Sequence, residues 1–430
     1  MNEKRKLKRA AYHLWTFTIS KLISSFGQQV YAFAISLYIL KLTGSATSFA
    51  VNLVCSILPR TISAPIVGYM ADNYSRKAIV IISQIVTTLA LIGLLTISLT
   101  IGLSLIAIYT TTVILSICSA FSALTFTTSL TRLVGNERIQ RATALNQMSI
   151  SLAAIGGPAI GGVLYGFVSM ETFLIMYIVA STLAVTLEST MNFNLFASED
   201  AAELSEEKES FWQSTKAGIA YLKLQPVLMM LIWALLFINF LAGSFDVGFA
   251  YILIEVLKME ASQFGIIEGA FALGMLVFSI YFSVRKEVKY PLVTGKWGVI
   301  GLGLIMIVSC VPLIIPFTNL VNFVYYLLLM FLLGSLIITI NTPLQVMMQK
   351  TIDDQYKGRI FSFLETMATA LIPVGMLVYG ALYDTLPAEW VMGASGIALI
   401  IYILYAFKNE LIQKAHPDWK PKKKSVEMEA

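Results

Sequence analysis

Histidine appears twice in this 430-residue chain and cysteine three times, and Asp, Glu, Lys and Arg together supply only 13% of it. Each shortage removes a class of function. His13 and His416 lie far apart in sequence, so a histidine-based metal site is not expected. Cys55, Cys118 and Cys310 fall inside apolar runs without a CxxC neighbour, which makes them small buried hydrophobes rather than redox or disulfide partners. The scarcity of charge, beside a hydrophobic fraction of 57%, leaves more apolar surface than a water-soluble domain can cover. The alternating polarity of a closed β-barrel is also missing. In hydrocarbon every backbone polar group needs an internal partner, so runs this long must be helices.

Twelve such runs are present, at about 13–39, 46–70, 78–98, 102–128, 143–167, 172–192, 227–254, 262–284, 292–316, 319–345, 359–383 and 389–407. The N-terminal "MNEKRKLKRA" carries the charge of a signal peptide. The apolar run behind it is too long and no small-residue cleavage site closes it, so it reads as a retained first span. With the N-terminus placed inside, 26 of the 30 Lys and Arg fall in inner segments. Two, Lys41 and Lys258, fall outside, and Lys21 and Arg60 lie within spans. This split predicts a multi-pass protein of the cell membrane with both termini cytoplasmic. The net charge of +5 and the tail "KPKKK" are then an anchor near anionic membrane lipid, and no nucleic-acid partner is implied.

The organisation expected is 1–192, a six-helix bundle; 193–225, a polar linker ending in an amphipathic helix on the inner surface; 226–408, a second six-helix bundle; and 409–430, a basic tail. The halves resemble each other. An ungapped offset of 218 lays "GPAIGGVLYG" (157–166) over "GMLVYGALYD" (375–384), so that Gly157 meets Gly375, Gly162 meets Gly380 and Tyr165 meets Tyr383. Parallel six-span repeats are a transporter architecture, with the substrate site expected between the halves near mid-membrane.

Three stretches resemble the major facilitator superfamily, and more narrowly its macrolide-efflux-type exporters. "GYMADNYSRK" (68–77) resembles the superfamily loop G-x-x-x-D-R-x-G-R-R through Gly68, Asp72, Arg76 and Lys77, with Asn73 and Ser75 departing from it. "GGPAIGG" resembles the antiporter motif ending G-P-x-x-G-G through Gly157, Pro158, Gly161 and Gly162, with Ala153 in place of a glycine. "YKGRIFSF" (356–363) resembles the entry to span 11 in the macrolide-efflux group. The resemblance implies an all-α integral membrane protein of twelve transmembrane helices in two pseudo-symmetric six-helix bundles. It further implies a conformational latch: Asp72 faces the N-terminus of span 11 near Gly358 and Arg359, Gly68 allows close approach, and Arg76 and Lys77 reach nearby carboxylates.

Ionisable groups inside spans are costly and point to function. Lys21, Arg60 and Glu365 fall toward the inner half or the middle, and Glu365 is positioned to neutralise Arg60 or Lys21. Asp246 and Glu268 fall in the outer half as candidates for proton coupling or for a cationic substrate. Span 4 has no arginine, where many proton-coupled relatives carry one. Gln28, Gln29, Tyr31, Asn52, Asn239 and Asn341 are candidate cavity-lining residues, with Phe33, Phe240 and Phe249 as an apolar wall. Enzymatic readings fare poorly. "GASG" (393–396) matches G-x-S-G, but neither histidine is placed to serve it, and HExxH, P-loop and GxGD signatures are missing. The expectation is a monomeric secondary transporter, not an enzyme. It needs no cofactor, runs on a proton gradient as an antiporter, and exports a lipophilic or amphipathic small molecule of the macrolide or drug class. Siderophores, metabolites and lipids are the other substrate classes, uptake is the alternative direction, and a receptor that transports nothing is the more distant rival.

Overall fold

A computed structural model describes residues 3–196, 226–352, 370–408, 412–413 and 418. The chain is helical throughout this part, and a helix meets each of the twelve apolar runs. They are α1 (Glu3–Thr43), α2 (Ala46–Asn73), α3 (Arg76–Thr100), α4 (Leu105–Val134), α5 (Ile139–Phe167), α6 (Met170–Ser189), α7 (Pro226–Tyr251), α8 (Ala261–Val284), α9 (Pro291–Val308), α10 (Asn319–Thr351), α11 (Ile372–Thr385) and α12 (Ala388–Ala406). Ten are long and apolar enough to cross a membrane by a strict measure of length and composition among the described residues. The amphipathic helix expected near residues 211–223 lies outside the described residues.

The boundaries follow from short polar punctuation. Ser45, Ser75, Ser104 and Ser169 each stand at an N-cap, where the hydroxyl accepts from the backbone N–H three residues on. Gly135 ends α4 at φ +83°, a conformation that favours glycine. α7 ends in one π-helical stretch, Ile252–Val256, with Lys258 beyond it at φ 51°.

Apolar side chains lie on both the buried and the exposed faces of these helices, while polar ones are also taken inside. α3 buries Ser83, Gln84 and Thr87 and exposes Ile82, Leu89 and Ile92. In lipid the apolar face needs no cover, whereas small and polar side chains gain from neighbours.

The chain forms two compact units. The first contains residues 1–207 with Val247–Gly269 and Met376–Thr385, so it takes in the end of α7, the start of α8 and the end of α11. Its core has one cluster around Ile35, Leu91, Leu94, Ile108 and Leu174 and another around Phe17, Val80, Phe126 and Leu133. The second contains 208–246, 270–375 and 386–430. There α9 packs on α12 at a glycine pair, where a Cβ on Gly396 would stand 2.7 Å from the Gly303 carbonyl oxygen. Lys296 donates to the Phe407 carbonyl at 2.7 Å, a cation at the end of α12.

Candidate functional site

By strict alternation, the end of α1, the start of α2, the end of α5, the end of α7, the start of α8 and the end of α11 lie at one end of the molecule, opposite the loop 68–77. In the first unit these six ends pack together, and two seams hold them. Along α5, a Cβ on Gly161 would meet Val30 O of α1 at 3.3 Å, and Gly157 packs against Gln29. A Cβ on Gly162 would stand 2.6 Å from Ala261 O and 3.1 Å from the Cα of Gly265 in α8. A Cβ on Gly265 would in turn stand 2.6 Å from Pro158 O. The four residues Gly157, Pro158, Gly161 and Gly162 are therefore a contact strip, with α1 on one side and α8 on the other.

The second seam joins α11 to α2. A Cβ on Gly380 would meet Thr47 Cα at 3.0 Å and Ala46 O at 3.2 Å. One turn further along, the Asp384 carboxylate accepts from Ser45 Oγ at 2.7 Å, Ala46 N at 2.6 Å and Thr47 N at 3.1 Å. It caps α2 where the first N–H groups have no intrahelical acceptor. The two seams are repeat-related: at the offset of 218, Gly162 corresponds to Gly380 and Gly265 to Thr47.

Between them the aromatic rings stack. Phe33 of α1 lies 5.3 Å from Phe264 of α8, and Phe249 of α7 lies 6.2 Å from the same ring. Phe249 and Phe264 are buried.

Several residues sit differently from the expectation. Tyr31 is buried in the core of the first unit, its ring 5.6 Å from that of Tyr177. Asn52 is also buried, donating to Ser36 Oγ and accepting from Thr112 Oγ1, both at 3.0 Å. Both are buried in the first unit. Asn239 donates to the Leu235 carbonyl of its own helix at 2.9 Å, and Asn341 is exposed. At Gly68 a Cβ would meet nothing within 4 Å, so the close approach expected there is not made by the described residues. Asp72 lies in the last turn of α2. Arg76 donates to the Thr128 carbonyl at 2.8 Å and Lys77 to the Ser189 carbonyl at 2.7 Å, so both tie the loop to the ends of α4 and α6 through backbone oxygens. Gly358, Arg359 and Glu365 lie outside the described residues.

Lys21 helps line a small cavity of about 50 Å³ inside the first bundle, with Ser24, Gln28, Gln84, Ser119 and Ser122 among its neighbours. Gln28 accepts there from Ser119 Oγ at 3.0 Å. On the residue before Lys21, the Ser20 hydroxyl donates to Glu188, which is 1% exposed, at 2.5 Å. Arg60 is exposed and forms no ion pair among the described residues. Asp246 is exposed at the end of a second-unit segment, while Glu268 is half-buried in the first unit.

Sequence reasoning passed over two of these groups. Glu188 stands inside the run 172–192, and its presence among apolar residues was the available signal. Asp384 had a subtler one: an acid closing span 11 in the register where the first half has Gly166.

The comparisons with known proteins agree with this architecture. The family model for the Major Facilitator Superfamily matches residues 17–373. The MFS-type transporter YfiS of Bacillus subtilis is 26% identical over 88% of this chain and 87% of its own length. Macrolide efflux protein A of Streptococcus pyogenes is 20% identical over 96% of this chain and 98% of its own length. Among solved structures, a bacterial homologue of the iron transporter ferroportin in an inward-facing state superposes with a TM-score of 0.67 at 15% identity, covering 92% of this chain and 98% of that one. The D-xylose–proton symporter gives 0.66 at 11%, covering 92% and 97%. At such identities the structural likeness establishes the fold and nothing finer. A described helix on each of the twelve apolar runs and a family match across most of the sequence lead to one assignment: the chain belongs to the Major Facilitator Superfamily and is a multi-pass membrane transporter.

Proposed function

We propose that this transporter exports a lipophilic or amphipathic small molecule of the macrolide or drug class by alternating access, with protons moving the opposite way as the energy source. It acts in the cell membrane with both termini cytoplasmic, an orientation supported by the 26-to-2 division of Lys and Arg. The observation that carries the export reading is the α5 strip Gly157–Pro158–Gly161–Gly162, whose spacing matches the antiporter motif and whose glycines pack on α1 through Gly157 and Gly161 and on α8 through Gly162. A seam closed by glycine backbones leaves no gap between helices. It also parts without breaking an ion pair, which suits a gate that opens each cycle. The likeness to Macrolide efflux protein A supports the substrate class.

In this reading Asp246, an acid on a membrane helix, carries the coupling proton, and Glu365 neutralises Lys21 or Arg60 in one state of the cycle. Asp72, Arg76 and Lys77 latch the inner end with the segment around Gly358 and Arg359. The test is transport in proteoliposomes of the full chain under an imposed pH gradient. The probes are a macrolide, a lipophilic dye and a siderophore, with Asp246→Asn alongside. The expected result is accumulation of the macrolide or dye driven by the gradient and at least tenfold slower in Asp246→Asn. Flux indifferent to the gradient removes the coupling mechanism, and movement of the siderophore alone removes the drug class.

A further inference from the structure

Inside the first unit, three helices turn polar groups toward the cavity of about 50 Å³. From α1 come Lys21, Ser25 and Gln28, at the i, i+4, i+7 spacing of a single helix face. Gln84 comes from α3, and Ser119 and Ser122 from α4. At 1.5 Å per residue Lys21 lies about 12 Å into the run that opens at residue 13 and Gln28 about 22 Å, so this face reaches to about the middle of the hydrocarbon.

Part of this polarity is spent internally. Ser119 Oγ donates to Gln28 Oε1 and Gln84 Nε2 donates to Ser181 Oγ, both at 3.0 Å. The Ser24 hydroxyl, on the same turn of α1, is sealed in packing. Other donors stay open to the cavity. The Lys21 ammonium makes no hydrogen bond or ion pair among the described residues, and it is not closed off as Ser24 is. The nearby Glu188 accepts from Ser20 and forms no ion pair with Lys21. With its oxygen committed to Ser119, the Gln28 amide has its N–H groups to give. The hydroxyls of Ser25 and Ser122 add to the set. An ammonium group within a membrane bundle is costly without a counter-charge, and neutral donors gathered beside it favour the same sign of partner.

We propose that this cavity binds a small anion, with the Lys21 ammonium as its counter-charge and the Gln28 amide and the Ser25 and Ser122 hydroxyls as further donors. One charge and several neutral donors, converging from two helices, suit a compact anion that accepts from more than one side. The volume sets the upper size. About 50 Å³ takes a single ion with a few waters, or one carboxylate group, and is far below what a drug-sized molecule fills. Chloride and the carboxylate of a larger ligand both offer this chemistry. Occupancy neutralises Lys21 and ties α1 to α4. The site does not depend on which molecule is exported. Where Glu365 reaches Lys21 in one state of the cycle, that carboxylate and the anion compete for it.

The test uses the full chain purified in mild detergent at constant sodium concentration, with a bulky morpholine sulfonate as the reference anion. Its thermal unfolding midpoint is followed as chloride or acetate replaces the reference. The midpoint rises by a few degrees along a saturating curve, as for any ligand specific to the folded state. The shift is lost in Lys21→Gln and kept in Lys286→Gln, an exposed base of the second unit. In Gln28→Leu, which leaves the charge in place, the half-saturating concentration rises roughly fivefold, the worth of one hydrogen bond. A shift with chloride assigns an inorganic ion, and a shift with acetate alone assigns the carboxylate of a larger ligand. Three outcomes overturn the proposal: a shift of equal size in Lys21→Gln, wild-type half-saturation in Gln28→Leu, or no shift with either anion in both the wild type and Glu365→Gln.

Discussion

Removing the Asp384 carboxylate frees the first turn of α2, and the size of the effect follows from the contact. Asp384 accepts three hydrogen bonds, from Ser45 Oγ, Ala46 N and Thr47 N. Ser45 is itself the N-cap and accepts from Ser48 N at 3.2 Å, so that cap survives the loss. The side chain of Asp384 is exposed, and water replaces part of what is removed. The capping scale therefore applies, about 0.5–2 kcal/mol, rather than that of a buried charge. This range corresponds to roughly a two- to thirtyfold change in an opening equilibrium. The assay is hydrogen exchange at the Ala46 and Thr47 amides. Asp384→Ala speeds exchange there by that factor, and Asp384→Asn, which keeps an acceptor without the charge, falls between it and the wild type. Unchanged exchange in Asp384→Ala refutes the reasoning.

The same contact fixes a pH response. Asp384 stands just beyond the apolar run 359–383. Partial burial pushes its pKa up, but the donors on Thr47, Ser45 and Ala46 outweigh this and hold it below its ordinary value of 3.8. A depressed carboxyl stabilises the folded contact fully above its unfolded pKa and loses that contribution as pH falls through the lower folded value. Exchange at Ala46 and Thr47, corrected for intrinsic rates, is therefore flat between about pH 5 and pH 8, and the contact loosens only below about pH 4.

Two further substitutions test the packing. Gly162→Ala places a methyl against the backbone of α8, which has no flexible end to move aside. It costs about 1–3 kcal/mol and speeds amide exchange across 261–265; an unperturbed segment there would show that the seam is loose. Asn52→Leu removes the shared partner of Ser36 and Thr112 and lowers the thermal midpoint by the equivalent of about 1–2 kcal/mol. A midpoint at or above the wild type rejects the network as a source of stability.

The spans were legible because hydrocarbon leaves the chain one option, and a helix meets every apolar run. Depth was legible too, since 1.5 Å per residue places a group along its helix. Direction was not. In a soluble helix the apolar stripe tells which way a side chain points, but here both the lipid and the core are apolar and the stripe is erased. Tyr31 and Asn52, assigned to a cavity from depth alone, are both buried in the first unit. Gly157 and Gly162 pack closely on neighbouring helices, and their motif fixes a spacing that fixes a face. Gly68 was assigned the same role from a single position with no partner spacing, and open space surrounds it among the described residues.

The repeat explains how an acid comes to cap a helix N-terminus at the end of the molecule opposite the 68–77 loop. Any helix start offers unsatisfied N–H groups, so the physics that motivates Asp72 at the 68–77 loop applies equally at the start of α2. What selects the site is the partner helix. Duplication makes two equivalent contacts, α5 on α8 and α11 on α2, each built on a glycine of the partner helix: Gly162 and Gly380. The copies then diverge by one group, because Asp384 corresponds to Gly166, where a Cβ would meet nothing within 4 Å. The α5–α8 seam is thus built on close backbone packing, while the α11–α2 seam adds three hydrogen bonds to a carboxylate. A gate with these two seams does not open symmetrically. The glycine seam parts at the cost of dispersion contacts, and the capped seam must also surrender its carboxylate to water. If opening begins at α5–α8, exchange at the amides of 261–265 precedes exchange at Ala46 and Thr47, and Asp384→Ala brings the two into step.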